Sequence, residues 1–265
     1  MYNPEKQYNN HREKTSEFKE GLKQLEEYLK LMSEDLNKQG IPVNEDCRMN
    51  MDGFRDNYAN GKIEKDKEYV EELERRFKLA NFYNHGKIIH ENEIEFKGKE
   101  MEMLTTAIFH KNLSTDYIVV RTSEYDDYVN KVDNIILSKK TGSAICAFDD
   151  IAPRDEYTYK EKERKTLNRN SSNGAKIKYG IRLDNKEKII LSSMDNIPIF
   201  YLALGPKALK RGIKEFNNNQ EEKKLFEIFI SEINLQIKKI EFTYKNLDPE
   251  LKNRFNDFKK TIESM

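Results

Sequence analysis

Residues 116–150 read DYIVVRTSEYDDYVNKVDNIILSKKTGSAICAFDD, and this stretch decides the fold. The runs 117–121 (YIVVR) and 132–137 (VDNIIL) are β-type and frame a group of acids, Glu124, Asp126, Asp127 and Asp133. A third run, 143–148 (SAICAF), ends on Asp149 and Asp150, and Thr141-Gly142 supplies the turn before it. Apolar and β-branched runs separated by turn residues predict strands joined in sequence. Acids at the ends of adjacent strands converge in space. Converging carboxylates either bind a divalent cation or repel each other at a cost.

Outward from this centre, residues 97–111 read as a helix with Met101, Leu104, Ile108 and Met103 inward. The preceding residues 85–96 (HGKIIHENEIEF) read as a short hairpin or an irregular lead-in. On the other side, 156–169 is a strongly charged helix and 170–174 (NSSNG) a loop. Strands are expected over 175–183, 188–192 and 197–204, with a turn at Asp184-Asn185. The fold class is α+β. A central mixed sheet is expected from 117–121, 132–137, 143–148 and 175–182, with helix 97–111 on one face and helical regions at both ends.

In the N-terminal region, 1–11 is polar and reads as irregular. Residues 13–38 place Phe18, Leu22, Leu25, Leu29, Met32 and Leu36 on one face in alternating steps of four and three. Gly40, Ile41 and Pro42 stop that helix. After an Asn60-Gly61 turn, a second helix over 62–82 aligns Ile63, Val70, Leu73, Phe77 and Ala80. The two helices are expected to pair as an antiparallel hairpin, with 44–59 between them as a short helix. At the other end, a short helix runs from Gly205-Pro206 to about 216. A long one over 221–244 carries Leu225, Ile228, Ile233, Ile237 and Ile240 inward. Asp248 followed by Pro249 is an N-cap with Pro at N1, opening a helix with the seam Leu251, Phe255, Phe258 and Ile262. The expected division is a helical extension over 1–84, an α/β core over 85–204 and C-terminal helices packed on that core over 205–265.

Composition narrows the function classes. Of 265 residues, 37% are hydrophobic and 35% charged, and 47 basic residues balance 47 acidic ones. The chain as a whole is no polyelectrolyte, so any nucleic-acid footprint is a local patch. Cys47 and Cys146 lie far apart, with Cys146 in an expected buried strand, so no disulfide scaffold is indicated. The start MYNPEKQYNNHREK has no apolar core of a secretory signal, and no run approaches the roughly 18–20 apolar residues of a membrane span. A cytoplasmic protein without membrane association is the expectation. His11, His85, His90 and His110 have no zinc-ligand spacing.

From residue 97 the order is helix, strand, strand, strand, helix, strand. This order, with its acids, resembles the PD-(D/E)XK nuclease superfamily. Members carry a Glu on the first helix, an Asp at the start of the second strand and (D/E)xK on the third. Glu100 or Glu102 matches the helix position and Asp133 the second strand, while Ser123-Glu124-Tyr125-Asp126-Asp127 resembles an acidic turn that some members place before it. The resemblance covers 97–204. It departs at the third strand, where Ala144-Ile145-Cys146-Ala147-Phe148-Asp149 brings no Lys at the expected spacing. Some members supply that Lys from the next helix, where Lys162 and Lys165 stand; without it the resemblance implies an inactive relative. The chain also resembles uncharacterised bacterial proteins with a YDD…VDN…CAFD pattern. The resemblance implies a Mg²⁺ or Mn²⁺ site drawn from Glu100, Glu102, Asp127, Asp133, Asp149 and Asp150. It implies catalysis by Asp133 and Asp149 with Lys162 or Lys165.

The residues support that chemistry on their own terms. Carboxylate oxygens suit a hard divalent ion. The segment 160–182 supplies Lys160, Lys162, Arg164, Lys165, Arg169, Lys176, Lys178 and Arg182 against Glu161 and Glu163, with Tyr157, Tyr159 and Tyr179 interleaved. An acidic pocket beside a basic, aromatic rim is the layout of a nucleic-acid enzyme. Plainer readings stand beside it. Asp126 and Asp127 also read as loop acids in a solvated turn, Asp149 and Asp150 as strand terminators, and the basic run as a solvated helix face. A second class of function is a non-catalytic interaction protein, binding a partner or a second copy through the helices 13–38 and 221–244.

Overall fold

The computed structural model describes residues 4–85, 91–153, 155–243 and 247–263, with side chains left out at 4–15, 80–85 and 91–97. Eight helices and six strands run in the order α1 (Pro4–Lys38), α2 (Lys62–His85), α3 (Glu91–Leu113), β1 (Tyr117–Arg121), α4 (Glu124–Tyr128), β2 (Asn134–Ser138), β3 (Ala144–Ile151), α5 (Glu156–Ser171), β4 (Ala175–Leu183), β5 (Ile189–Ile197), β6 (Ile199–Ala203), α6 (Pro206–Lys214), α7 (Asn219–Thr243) and α8 (Pro249–Glu263). A 3₁₀ turn, Met51–Asn57, lies between α1 and α2.

The main sheet has the order β1-β2-β3-β6, with β1, β2 and β3 antiparallel in sequence and β6 parallel to β3. A parallel neighbour requires a long crossover, and α5 with the β4–β5 hairpin provides it. The expected fourth strand, 175–182, is therefore misplaced. It pairs with β5 in a separate two-stranded sheet, and 199–203 takes its position. Burial gives the reason. Ile199, Phe200, Tyr201 and Leu202 are all buried, as a strand covered on both faces must be, whereas β4 alternates buried and exposed positions along its first half.

Successive strand residues face opposite ways, and this fixes the layers. Phe148 meets Phe109 of α3 at 4.9 Å and Phe258 of α8 at 6.5 Å between ring centroids. Its neighbour Asp149 turns to the other face and bonds Lys162 of α5. One hydrophobic core joins Leu25 and Leu29 of α1, the sheet, and Phe255, Phe258 and Ile262 of α8, so it draws on all three stretches of the chain. No helix of the described residues is long and apolar enough to cross a membrane.

Each edge of the main sheet is met at particular backbone groups. Segment 47–49 runs beside β1, where Arg121 N donates to Cys47 O at 3.0 Å and Met49 N to Arg121 O at 3.0 Å. Cys47 turns into this register at a φ of +60°. At the other edge Gln236 of α7 brackets Tyr201, its Oε1 accepting Tyr201 N at 3.0 Å and its Nε2 donating to Tyr201 O at 2.7 Å. Glu232 accepts Ala203 N at 3.0 Å.

The helical ends depart from expectation in several places. α1 is helical from Pro4, within the stretch expected to be irregular, and α3 begins at Glu91, inside the expected hairpin; residues 86–90 of that stretch lie outside the described ones. The α1 seam is buried at Leu25, Leu29, Met32 and Leu36, but it packs on α3 and α6 instead of forming a hairpin with α2. Gly21 is what allows that approach, because a Cβ there would sit 2.1 Å from Ile213 O. α2 packs on α4 and the 3₁₀ turn. Ile63 and Val70 are buried while Phe77 is exposed, since nothing among the described residues covers the far half of that face. α7 packs on β6, α3 and α6, not on α1, with Ile228 pointing outward and Phe229 taking the core position. The two seams are thus filled by the chain's own core, not by each other.

Candidate metal centre

The acids of the central stretch meet where the middle of α3 passes the start of β2 and the end of β3. Glu102, Asp127 and Asp133 each offer a carboxylate oxygen, and these lie within 4.8 Å of one another. Glu102 comes from α3, Asp127 from α4 and Asp133 from the residue before β2. Asp133 is held by its neighbours' backbone, with Asp133 N donating to Phe148 O at 2.8 Å and Asp133 Oδ2 accepting Asp150 N at 2.6 Å. Asp149 and Asp150 continue β3 and do not terminate it.

Asp150 accepts Asn134 Nδ2 at 2.7 Å on Oδ2, while Thr106 Oγ1 fixes the other end of that amide by donating to Asn134 Oδ1 at 2.6 Å. Asp150 Oδ1 is enclosed and has no hydrogen-bond partner among the described residues. A buried carboxylate oxygen without a partner is costly. On the opposite face Lys162 donates to Asp149 Oδ1, both side chains being mostly buried. Of the two lysines expected from α5, Lys162 therefore reaches the acids. Lys165 is exposed and bonds Glu161 at 2.9 Å. Of the two helix glutamates, Glu102 joins the acids; Glu100 is buried outside the Glu102–Asp127–Asp133 group.

Two arginines that sequence reasoning passed over enter from the side of β1. Arg48 Nη2 donates to Glu102 Oε2 at 2.7 Å and Arg48 Nη1 to Asp127 Oδ2 at 3.0 Å. Arg121, fully buried on β1, donates to Glu102 and, at 2.6 Å, to Asp46 Oδ2. Even so, the carboxylates Glu102, Asp127, Asp133, Asp149 and Asp150 outnumber the cations Arg48, Arg121, Lys162 and Arg169. Burial raises Asp133 well above the usual carboxylate range, and the charges of Glu102, Asp127, Asp149 and Asp150 push it further. Asp150 is raised by burial and then by Glu102. Burial also raises Asp46, but Arg121, Arg48 and Lys99 outweigh it and hold the carboxyl below its ordinary value.

Asp126 is no solvated loop acid. It is fully buried and accepts Ser123 Oγ, Asn130 Nδ2, Lys178 N and Tyr179 N, which fastens α4 to β4. Ser123 caps α4 by accepting Asp126 N at 3.1 Å, and the S-x-x-D spacing was the signal for it. Asp127 pairs with Arg48, so the acidic turn splits into one structural and one cluster residue.

The basic segment is largely engaged. Lys160 bonds Glu156 at 2.7 Å, and Lys176 lies 3.8 Å from Asp195. Lys178 is mostly buried on Asp66, with its ammonium 4.5 Å from the ring centre of Tyr125. Arg169 donates to the carbonyls of Lys131 and Asn130 at 2.7 Å each. Arg164 and Arg182 are exposed. A continuous open cationic rim is not what these residues form.

The fit to a cation rests on the donors. All are carboxylate oxygens, which suits Mg²⁺ or Mn²⁺. Surplus negative charge at the cluster is relieved by a cation. No family model, curated protein or solved structure matches the chain.

Proposed function

We propose that this chain is a divergent nuclease-like protein that binds Mg²⁺ or Mn²⁺ and acts on nucleic-acid phosphodiesters. The observation that carries the reading is the convergence of Glu102, Asp127 and Asp133 to within 4.8 Å beside a lysine-paired acid on the next strand. The run α3, β1, α4, β2, β3, α5 and the parallel pairing of β6 with β3 support the PD-(D/E)XK resemblance drawn from the sequence, with the β4–β5 hairpin set between α5 and β6. The bond of Lys162 on α5 to Asp149 supports the expectation of a lysine supplied by that helix.

In this reading Glu102, Asp127 and Asp133 would hold the cation, with Asp150 next to Asp133. When bound, it lowers the pKa of a water and neutralises charge on a phosphoryl oxygen. Asn134 holds Asp150 and the backbone N–H of Asp150 holds Asp133, so these two carboxylates are fixed in place. Lys162, held by Asp149, supplies a fixed positive charge and a proton donor beside the acids, suited to charge developing on phosphate oxygens. Binding of the nucleic acid falls to the exposed Arg164 and Arg182 more than to Lys160, Lys165, Lys176 and Lys178, each of which has an acidic partner.

The test is Mn²⁺ calorimetry together with a nuclease assay on single- and double-stranded DNA and RNA, comparing wild type with Asp133→Asn. Saturable binding that the variant loses supports the reading. Equal behaviour of the two proteins overturns it. A scaffold reading retains one observation, the exposed row Ile228, Leu235 and Phe242 along α7. The seams that first suggested it are spent inside the fold.

A further inference from the structure

The guanidinium of Arg48 spans two of the three acids that converge, one nitrogen on Glu102 and the other on Asp127. Its side chain is 11% exposed, so these bonds are shielded from solvent and salt. Burial alone would lower its pKa, but Glu102, Asp127 and Asp46 outweigh that and hold it firmly protonated. Arg48 does not belong to the sheet or to its covering helices. It is delivered by the short segment between α1 and the 3₁₀ turn, which is pinned at several backbone points. Asn44 N donates to Arg48 O at 2.8 Å, Met49 N to Arg121 O at 3.0 Å, and Asn50 N to Pro42 O at 2.8 Å. Cys47 Sγ donates to Leu29 O at 3.0 Å and ties the same segment to α1.

We propose that Arg48 is a built-in counter-ion of the acidic cluster, which a divalent cation must displace from at least one acid, so that segment 41–50 sets the cluster's affinity for metal. This rests on the reading of the cluster as a cation site. The argument is one of competition. A carboxylate oxygen that accepts a charged hydrogen bond is a poorer donor to a metal, and a fixed positive charge within a few ångströms repels a second one. Arg121 is not equivalent. It is enclosed by β1 and shared with Asp46, and it does not touch Asp127. The arrangement gives the N-terminal helical region a part in the chemistry of the core, Arg48 lying 54 residues before Glu102. Any movement that draws 41–50 away from β1 would free Asp127 and one side of Glu102 together. Metal binding and docking of this segment are then antagonistic, and by linkage each weakens the other equally.

The experiment is calorimetry with Mn²⁺ alone on full-length wild type, Arg48→Met and Arg48→Lys, with circular dichroism to establish that each is folded. Arg48→Met removes the charge and keeps much of the volume. Arg48→Lys keeps the charge but loses the fork that spans both acids. The expected result is that Arg48→Met binds at least about tenfold more tightly than wild type, with Arg48→Lys between them. A wild type that binds no Mn²⁺ beside an Arg48→Met that does is the extreme form of the same result. If wild type binds and both folded variants bind equally or more weakly, the counter-ion role is wrong while the cation site stands. If neither wild type nor variants bind, the site itself is wrong and the inference falls with it. Should Arg48→Met not fold, Arg48→Lys decides alone: tighter binding than wild type upholds the role, and unchanged or weaker binding ends it.

Discussion

Asp133 Oδ2 accepts the backbone N–H of Asp150 at 2.6 Å, so the acid just before β2 is bonded directly to the strand that carries Asp149 and Asp150. This one bond gives the cluster its compactness. It also brings two buried carboxyls together, each of which is pushed above its ordinary pKa.

The first prediction follows from that crowding. An acid whose pKa is higher in the folded than in the unfolded chain makes the fold less stable as pH rises from about 4 upward through the folded value. Asp150→Asn removes the charge, keeps an acceptor for Asn134 and turns an amide toward the acids. In the presence of a chelator it should raise stability at pH 7 by about 1–3 kcal/mol and have a much smaller effect near pH 4. Chemical denaturation at the two pH values checks this. Equal or lower stability at pH 7 would mean that Asp150 is content as a carboxylate.

Lys162→Met should act in the opposite sense. It strands Asp149 in a mostly buried place, at a cost of about 1–3 kcal/mol. If the chain cleaves phosphodiesters, the variant should lose turnover while keeping Mn²⁺ affinity within a few-fold of wild type. Lys165→Met, whose lysine bonds only an exposed Glu161, should change neither; melts, calorimetry and the cleavage assay on the pair separate the two lysines.

Glu232 offers a pH effect remote from the cluster. Burial is the main cause that lifts its pKa to about 7, opposed by hydrogen bonds from Ala203 N and Tyr159. By the same sign rule, stability is present below the unfolded value and is lost as pH rises toward and through 7. Glu232→Gln should therefore melt higher than wild type at pH 8 and almost equally at pH 5. A difference of the same size at both pH values would count against the titration.

The α1 seam and the α7 row should differ sharply. Leu29→Ala removes a fully buried side chain and should cost about 2–5 kcal/mol. Ile228→Ser alters an exposed position and should stay within about 0.5 kcal/mol. Urea denaturation distinguishes them, and a large loss at Ile228 accompanied by a change in mass would point to a contact between molecules.

What could be read from the sequence depended on whether the signal was local. The strand Tyr117–Arg121 and the seam Leu251, Phe255, Phe258 and Ile262 announce themselves by periodicity, and both stand where expected. Sheet order is not local. Nothing in residues 175–183 says which strand they will pair with; the indication was indirect, in the unbroken apolar run Ile199-Phe200-Tyr201-Leu202 that only a doubly covered strand needs. Asp133 and Asp149 were visible because the order of elements places acids at neighbouring ends, whereas Glu102 stood as an alternative to Glu100 and Lys162 as an alternative to Lys165, both drawn from the resemblance. Arg48 was not, since its segment has no periodicity and its partners lie far along the chain. Asp126 and Asp127 are adjacent, and only the capping spacing from Ser123 tells the buried one from its neighbour.

The side-chain seal on β6 has a consequence for truncated chains. Gln236 and Glu232 occupy backbone groups that another strand would otherwise seek, and both arrive on a helix that follows β6 in the sequence. A product ending shortly after Ala203 would carry the sheet with that margin bare. An open margin is a template for further strands, so such a fragment should self-associate, and a separately supplied peptide spanning 219–243 should suppress that by docking where the missing helix belongs.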